Sequence, residues 1–100
     1  MDISIKTEDG RMLVTIIGRV DTTNAVEFQE SLRPLMELDN PDIEIDCRAL
    51  EYTSSQGLRV FLMLQKAVSS KSGTLVLKDM QPQVKEVFDI TGFSSIIKIR

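Results

Sequence analysis

The stretch Thr53-Ser54-Ser55-Gln56-Gly57-Leu58-Arg59 holds the residues most able to do chemistry. It lies where an alternating apolar pattern ends and a helical one begins, so two adjacent hydroxyls stand at a predicted helix N-terminus. A helix presents unpaired backbone N–H groups there, and its dipole is positive. A phosphate carried on one of these serines would meet both. Serine is also among the best N-cap residues, and capping alone accounts for such a hydroxyl. Phosphoacceptor and cap are therefore the two readings of Ser54 and Ser55.

Other chemistry is sparsely represented. The 100 residues contain no His and a single Cys, which removes the commonest general base and the usual zinc ligands. No glycine-rich phosphate loop and no nucleophile elbow occurs. No catalytic, cofactor-binding or metal-binding residue is assigned. Cys47 is in phase with Ile43 and Ile45, as a buried residue would be, and alone it forms no internal disulfide. Asp42, Glu44 and Asp46 alternate with those apolar residues and read as a solvated strand face.

Composition fits one soluble domain over residues 1–100, with 42% hydrophobic and 27% charged residues. A net charge of −3 without a basic cluster argues against nucleic-acid binding. The longest apolar run, Val60-Phe61-Leu62-Met63-Leu64, is far short of the ~20 residues that a membrane helix needs, so no membrane insertion is expected. The N-terminal residues lack a signal-peptide layout, and the cytoplasm is the expected compartment.

Several elements must position the two serines. Ile3 and Ile5, then Met12, Val14 and Ile16, alternate around Asp9-Gly10. This predicts a hairpin with strands near 2–7 and 11–18. Gly18-Arg19-Val20-Asp21 breaks the pattern, and Thr22, Thr23 and Asn24 offer N-caps for a helix over about 23–37. Its apolar stripe is Ala25, Phe28, Leu32, Leu35 and Met36, with Pro34 near its end. A strand at about 42–47 follows, and Leu50 and Tyr52 lead into the serines. A helix over about 55–70 is apolar nearly all round, so it is buried on more than one side or offers a face to a partner. Thr74–Lys78 reads as an interior strand. A third helix starts at Met80-Gln81-Pro82 and stops at Gly92, before a last strand containing Ile96, Ile97 and Ile99. The order ββαβαβαβ predicts an α/β domain with a mostly parallel sheet.

Four landmarks in this order resemble one family. Gly18-Arg19-Val20-Asp21 resembles the Gly-x-x-Asp entry to the first helix of STAS domains of the anti-sigma factor antagonist type. Ile43-Glu44-Ile45-Asp46-Cys47, with Leu50 and Tyr52, is similar to the strand before their signature loop. Ser54-Ser55-Gln56-Gly57-Leu58 aligns with Asp-Ser-(Ser or Ala)-Gly-Leu, and Val84–Phe93 is similar to the third helix and closing turn. The resemblance covers the whole chain. It implies a mixed, mostly parallel sheet of four to five strands with helices on one face.

It also implies a switch. A serine at the start of the second helix, Ser55 by position with Ser54 as the lesser candidate, would be phosphorylated by a serine kinase that doubles as an anti-sigma factor. A cognate phosphatase would reverse the modification. Asp21, Thr22, Thr53, Ser54, Ser55, Gln56, Gly57 and Arg59 would form the partner surface. Ser54 stands where the motif has Asp, Gln56 replaces its second small residue, and Arg59 stands where many members have Gly. Losing an acid and gaining a cation both ease a phosphate at Ser55 electrostatically. They equally suit two serines that only cap. Two rival readings are a non-phosphorylated STAS subunit of an ABC transporter or signalling scaffold, and a small nucleotide hydrolase using Asp21 and Ser55. The second lacks a visible base for its nucleophile.

Overall fold

Asp9 and Gly10 both adopt left-handed backbone, with φ of 50° and 80°. That is the geometry of a two-residue hairpin turn matched to strand twist. It closes β1 (Asp2–Glu8) onto β2 (Arg11–Val20) in antiparallel register, from Asp2↔Ile17 to Glu8↔Arg11. The structure, a computed structural model, describes residues 1–100.

β2 is the longest strand and carries two parallel partners along its other edge. Its first part pairs with β3 (Asp42–Asp46), from Met12↔Ile43 to Thr15↔Asp46. Its last part pairs with β4 (Leu50–Thr53), from Gly18↔Leu50 to Val20↔Thr53. The register shifts between Gly18 and Arg19, and Gly18 takes φ 99°, a conformation that suits glycine. β5 (Thr74–Lys78) and β6 (Lys98–Ile99) complete the order β1-β2-β3-β5-β6, with β4 beside the end of β2. The sheet thus has six strands where four to five were expected. Leu50–Thr53 becomes a strand through pairing with β2, a contact about 30 residues distant in sequence.

β3, β5 and β6 are each added on the same side of β2. Right-handed crossovers then place α1 (Ala25–Met36), α2 (Ser55–Ser70) and α3 (Pro82–Ile90) on one face. The core lies between that layer and Val14, Ile16, Ile43, Ile45, Leu75 and Leu77 of the sheet. Phe61 of α2 is its centre, meeting Phe28 of α1 and Phe88 of α3 edge to face at ring separations of 5.1 and 5.5 Å. Cys47 is fully buried beyond β3, and desolvation, helped by the Asp46 charge, pushes its thiol pKa up to about 12.

The opposite face of the sheet carries its charged residues, interspersed with Leu13, Ile17 and Val76. Arg11 of β2 pairs with Asp42 at 3.1 Å and Glu44 at 3.6 Å, and Lys78 of β5 reaches Glu44 at 3.5 Å. Asp42 and Glu44 are therefore rungs of a cross-strand charge ladder, whereas Asp46 accepts from the Arg48 amide at 2.9 Å just beyond its own strand. Two boundaries differ from the periodicity. α1 starts at Ala25, because residues 21–24 form a turn of their own. The last strand shrinks to two residues, because a 3-10 turn over Phe93–Ser95 is needed to bring the chain back from α3.

Truncation of the central ring should be severe. Phe61→Ala should lower unfolding stability by about 3–5 kcal/mol. Equilibrium denaturation should show this as a lower midpoint with an unchanged slope.

Candidate functional site

The parallel register Val20↔Thr53 brings two loops out side by side at the carboxyl ends of β2 and β4. The Ser54 N–H donates to the Val20 carbonyl at 2.8 Å and extends the pairing by one bond. The chain then turns directly into α2. Ser54 is its N-cap, with extended backbone, and its Oγ accepts from the Gly57 N–H at 3.2 Å. The side chain is 7% exposed, so this hydroxyl is committed to the helix end.

Ser55 differs from its neighbour. It is the first residue of α2 and is exposed, and its hydroxyl donates only to the Gln56 side-chain oxygen at 3.2 Å. With Ser54 N–H bonded to Val20 and Gly57 N–H to Ser54, the donors left without a helical acceptor are those of Ser55 and Gln56. No acid lies in the first turn of α2. A negative group on Ser55 would meet two free N–H donors and the positive end of a 16-residue helix.

Thr53, Ser54 and Gly57, expected with the exposed residues of the loop, are buried beneath it. A Cβ at Gly57 would overlap Thr53 Oγ1 and come within 2.8 Å of Val20 Cγ1. Only a residue without a side chain lets α2 start this close to the sheet. Thr22, Ser55, Gln56 and Arg59 remain exposed.

Asp21 is half-buried and folds its loop by an Asx-type turn. Its Oδ1 accepts from the Thr23 amide at 2.9 Å and from the Thr23 hydroxyl, while its own N–H donates to Asn24 Oδ1 at 2.8 Å. Asn24 in turn donates to the Arg19 carbonyl at 2.9 Å, so although it holds the N-cap position of α1 its side chain fastens the turn and makes no cap bond to the helix. The Thr23 hydroxyl above all, then the Thr23 amide, holds the Asp21 carboxyl below its usual 3.8, with smaller help from the Asn24 amide and the Arg19 charge. Asp21 makes no hydrogen bond to Ser55, so the two do not form an acid–hydroxyl pair.

The sequence left Tyr52 open between a core ring and the rim of the loop, and it pointed neither to its partner Arg19 nor, beyond one apolar residue, to the part played by α1. Arg19 lies over the Tyr52 ring at 4.3 Å, and Tyr52 is 40% exposed, which places the ring on the rim of the site rather than in the core. A groove of about 180 Å³ runs between α1 and α2, lined by Val26, Gln29, Gln56, Arg59, Val60 and Met63 among others. Val26 is 73% exposed on its wall. Its signals in the sequence are the nearly all-round apolar character of α2, which supplies Val60 and Met63, and an apolar residue off the buried stripe of α1.

The two serines should separate by mutation. Ser54→Ala should cost about 1 kcal/mol of stability through the lost cap. Ser55→Ala, an exposed change with no cap to lose, should stay within about 0.5 kcal/mol, both read from chemical denaturation. The Asp21 carboxyl has a depressed pKa in the folded chain, so its contribution is complete above the usual carboxylate value and is lost as pH falls through the depressed one. The stability gap between wild type and Asp21→Ala should accordingly narrow below about pH 4 in thermal melts.

The sequence profile of the STAS domain matches residues 2–100. BtrV of Bordetella bronchiseptica, described as a candidate anti-sigma factor antagonist, is 33% identical over 99% of this chain and 85% of its own length. The anti-sigma-B factor antagonist of Bacillus subtilis is 32% identical, over 99% of this chain and 90% of that protein. Among solved structures, the phosphorylated form of the Bacillus cell fate determinant SpoIIAA superposes with a TM-score of 0.73 at 13% identity, covering 99% of this chain and 91% of that one. With the profile matched from end to end and close relatives of nearly equal length, the chain belongs to the STAS domain family.

Proposed function

We propose that this protein is a partner-switching regulator of the anti-sigma factor antagonist type, controlled by reversible phosphorylation at Ser55. Unphosphorylated, it binds a serine kinase that doubles as an anti-sigma factor. Phosphorylation ends that binding, and a cognate phosphatase restores it. The protein is a regulator of transcription in the cytoplasm, not an enzyme.

One observation carries this reading. Of two adjacent serines at one helix start, Ser54 is buried and spent on capping, while Ser55 is exposed and free of the helix end. The names of the relatives and the phosphorylated state of the Bacillus structure support it. In this reading the exposed Thr22, Gln56 and Arg59, with the half-buried Asp21, meet the partner around Ser55. Thr53, Ser54 and Gly57 act by holding the loop in place, and the groove beside Arg59 extends the docking face onto α1 through Val26.

The switch is electrostatic. A phosphate adds about −1.5 to −2 charges at neutral pH. Within the isolated domain it sits at a helix N-terminus one turn from Arg59. Within an interface it must be desolvated or matched, and an unmatched buried charge costs several kcal/mol. A loss of about 3 kcal/mol already weakens binding more than a hundredfold.

The test is binding of the cognate anti-sigma kinase to wild type, Ser55→Ala and Ser55→Asp by titration calorimetry. Ser55→Ala should bind about as well as wild type, and Ser55→Asp at least tenfold more weakly, since one charge is about half of a phosphate. Incubation with kinase and ATP should add phosphate to wild type and to Ser54→Ala but not to Ser55→Ala. Equal affinities for the three proteins, or phosphate found on Ser54, would overturn the proposal.

A further inference from the structure

β1 leaves one backbone edge of the sheet without a neighbour over seven residues, whereas the other edge, β6, is two residues long. Such an edge is usually blunted by proline, by a bulge, by shortness or by charged side chains, and of these β1 has only the charges Asp2, Lys6 and Glu8, which repel a strand that meets them with like charge and admit one that meets them with opposite charge. Here β1 has no proline, and its register with β2 is unbroken from Asp2↔Ile17 to Glu8↔Arg11. The side chains of β1 alternate cleanly. Asp2, Ser4, Lys6 and Glu8 fall on the charged face of the sheet, opposite Ile17, Thr15, Leu13 and Arg11. Ile3 and Ile5 fall on the helix side, opposite the buried Ile16 and Val14. The margin of the helix layer leaves Ile5 38% exposed.

This strand is complementary to itself. We propose that β1 is a homodimer contact, in which two copies pair antiparallel about a two-fold axis at Ser4 and join their sheets into one. In that register Asp2 faces Lys6 of the second copy, Ile3 faces Ile5 of the second copy, and Ser4 faces Ser4. The symmetry repeats each unlike pair. Two opposite-charge pairs form on the charged face, and two apolar pairs on the helix side cover the exposed part of Ile5.

Neighbouring registers do less. Centred on Ile5, Asp2 would face Glu8, and centred on Lys6, the two lysines would face each other, like charges in both cases. A register shifted by one residue would set Ile3 against Lys6 and turn the apolar side chains to the wrong face. Centred on Ile3, Asp2 would face Ser4 and both opposite-charge pairs would be lost. The occupant that this edge fits is thus a second copy of the same strand, and the register centred on Ser4 is the one that forms both charge pairs. Ser55 and its surroundings take no part in the contact, so the outcome is independent of the switch.

Asp2 and Lys6 are exposed, so reversing either charge leaves the fold intact, and far-UV circular dichroism checks this. Sedimentation equilibrium of wild type should show a monomer–dimer equilibrium. Asp2→Lys and Lys6→Asp should each weaken it about tenfold or more, because each change turns two attractive pairs into repulsive ones. An equimolar mixture of the two variants should associate again as a heterodimer, since every facing pair is then opposite in sign. Ser4→Cys, treated with a mild oxidant, should give a covalent dimer, because directly opposed antiparallel residues lie about 4.5–5.5 Å apart. Cys47 is buried and does not compete. A wild type that stays monomeric up to about 1 mM, the limit of weak association, would overturn the proposal. So would variants that associate as wild type does, alone and mixed alike, or a Ser4→Cys protein that fails to cross-link.

Discussion

The parallel pairing of the end of β2 with β4 is the contact on which the site depends. It aligns Val20 with Thr53 and ends in the Ser54 N–H to Val20 bond at 2.8 Å. Beyond that bond there is no slack, because Gly57 packs on Thr53 and Val20 with no room for even a methyl group. The first turn of α2 is therefore pinned to the sheet by backbone, not by a flexible side chain. Within that fixed geometry one residue of helical rotation separates a hydroxyl facing the protein from a hydroxyl facing solvent.

The electrostatics of the region follow the same plan. Ser54 caps without bringing a charge, α2 carries no acid in its first turn, and Arg59 stands on the exposed side one turn further on. Asp21, on the adjoining loop, has its Oδ1 taken by Thr23, and its charge is spent on closing its own turn. The proposed phosphate would thus enter a place that favours negative charge in the free domain. The same charge becomes unfavourable once a partner excludes water from it. Free and bound states then respond in opposite directions to one modification, which is what a binding switch requires.

The sheet divides its labour by face. The helix side is aliphatic and sets the register, since a slip by one residue would expose every core side chain of a strand. The other side carries Arg11 and Lys78 with Asp42 and Glu44 in a ladder near solvent, where such pairs contribute little individually. β1 lies at the margin of both layers. Its charges and its isoleucines alternate as in the interior strands, but half of its pairing capacity is unused in the single chain.

Much of this was legible residue by residue. Alternation at Ile3, Ile5, Met12, Val14 and Ile16 around Asp9-Gly10 determines the hairpin, and the stripe Ala25, Phe28, Leu32, Leu35 determines α1 and its buried side. The motif around Ser54 and Ser55 identifies the helix start where a phosphate could sit. These features depend on turn chemistry and local periodicity, which a chain carries in its own order of residues. Tertiary structure decided the rest. Leu50–Thr53 is a strand because β2 lies beside it, Tyr52 is a rim residue because Arg19 covers it, and Asn24 fastens a turn because the Arg19 carbonyl is within reach. The difference between Ser54 and Ser55 is of the same kind: both are serines at one helix start, and only the packing of Gly57 against Val20 and Thr53 turns the first inward and leaves the second to solvent.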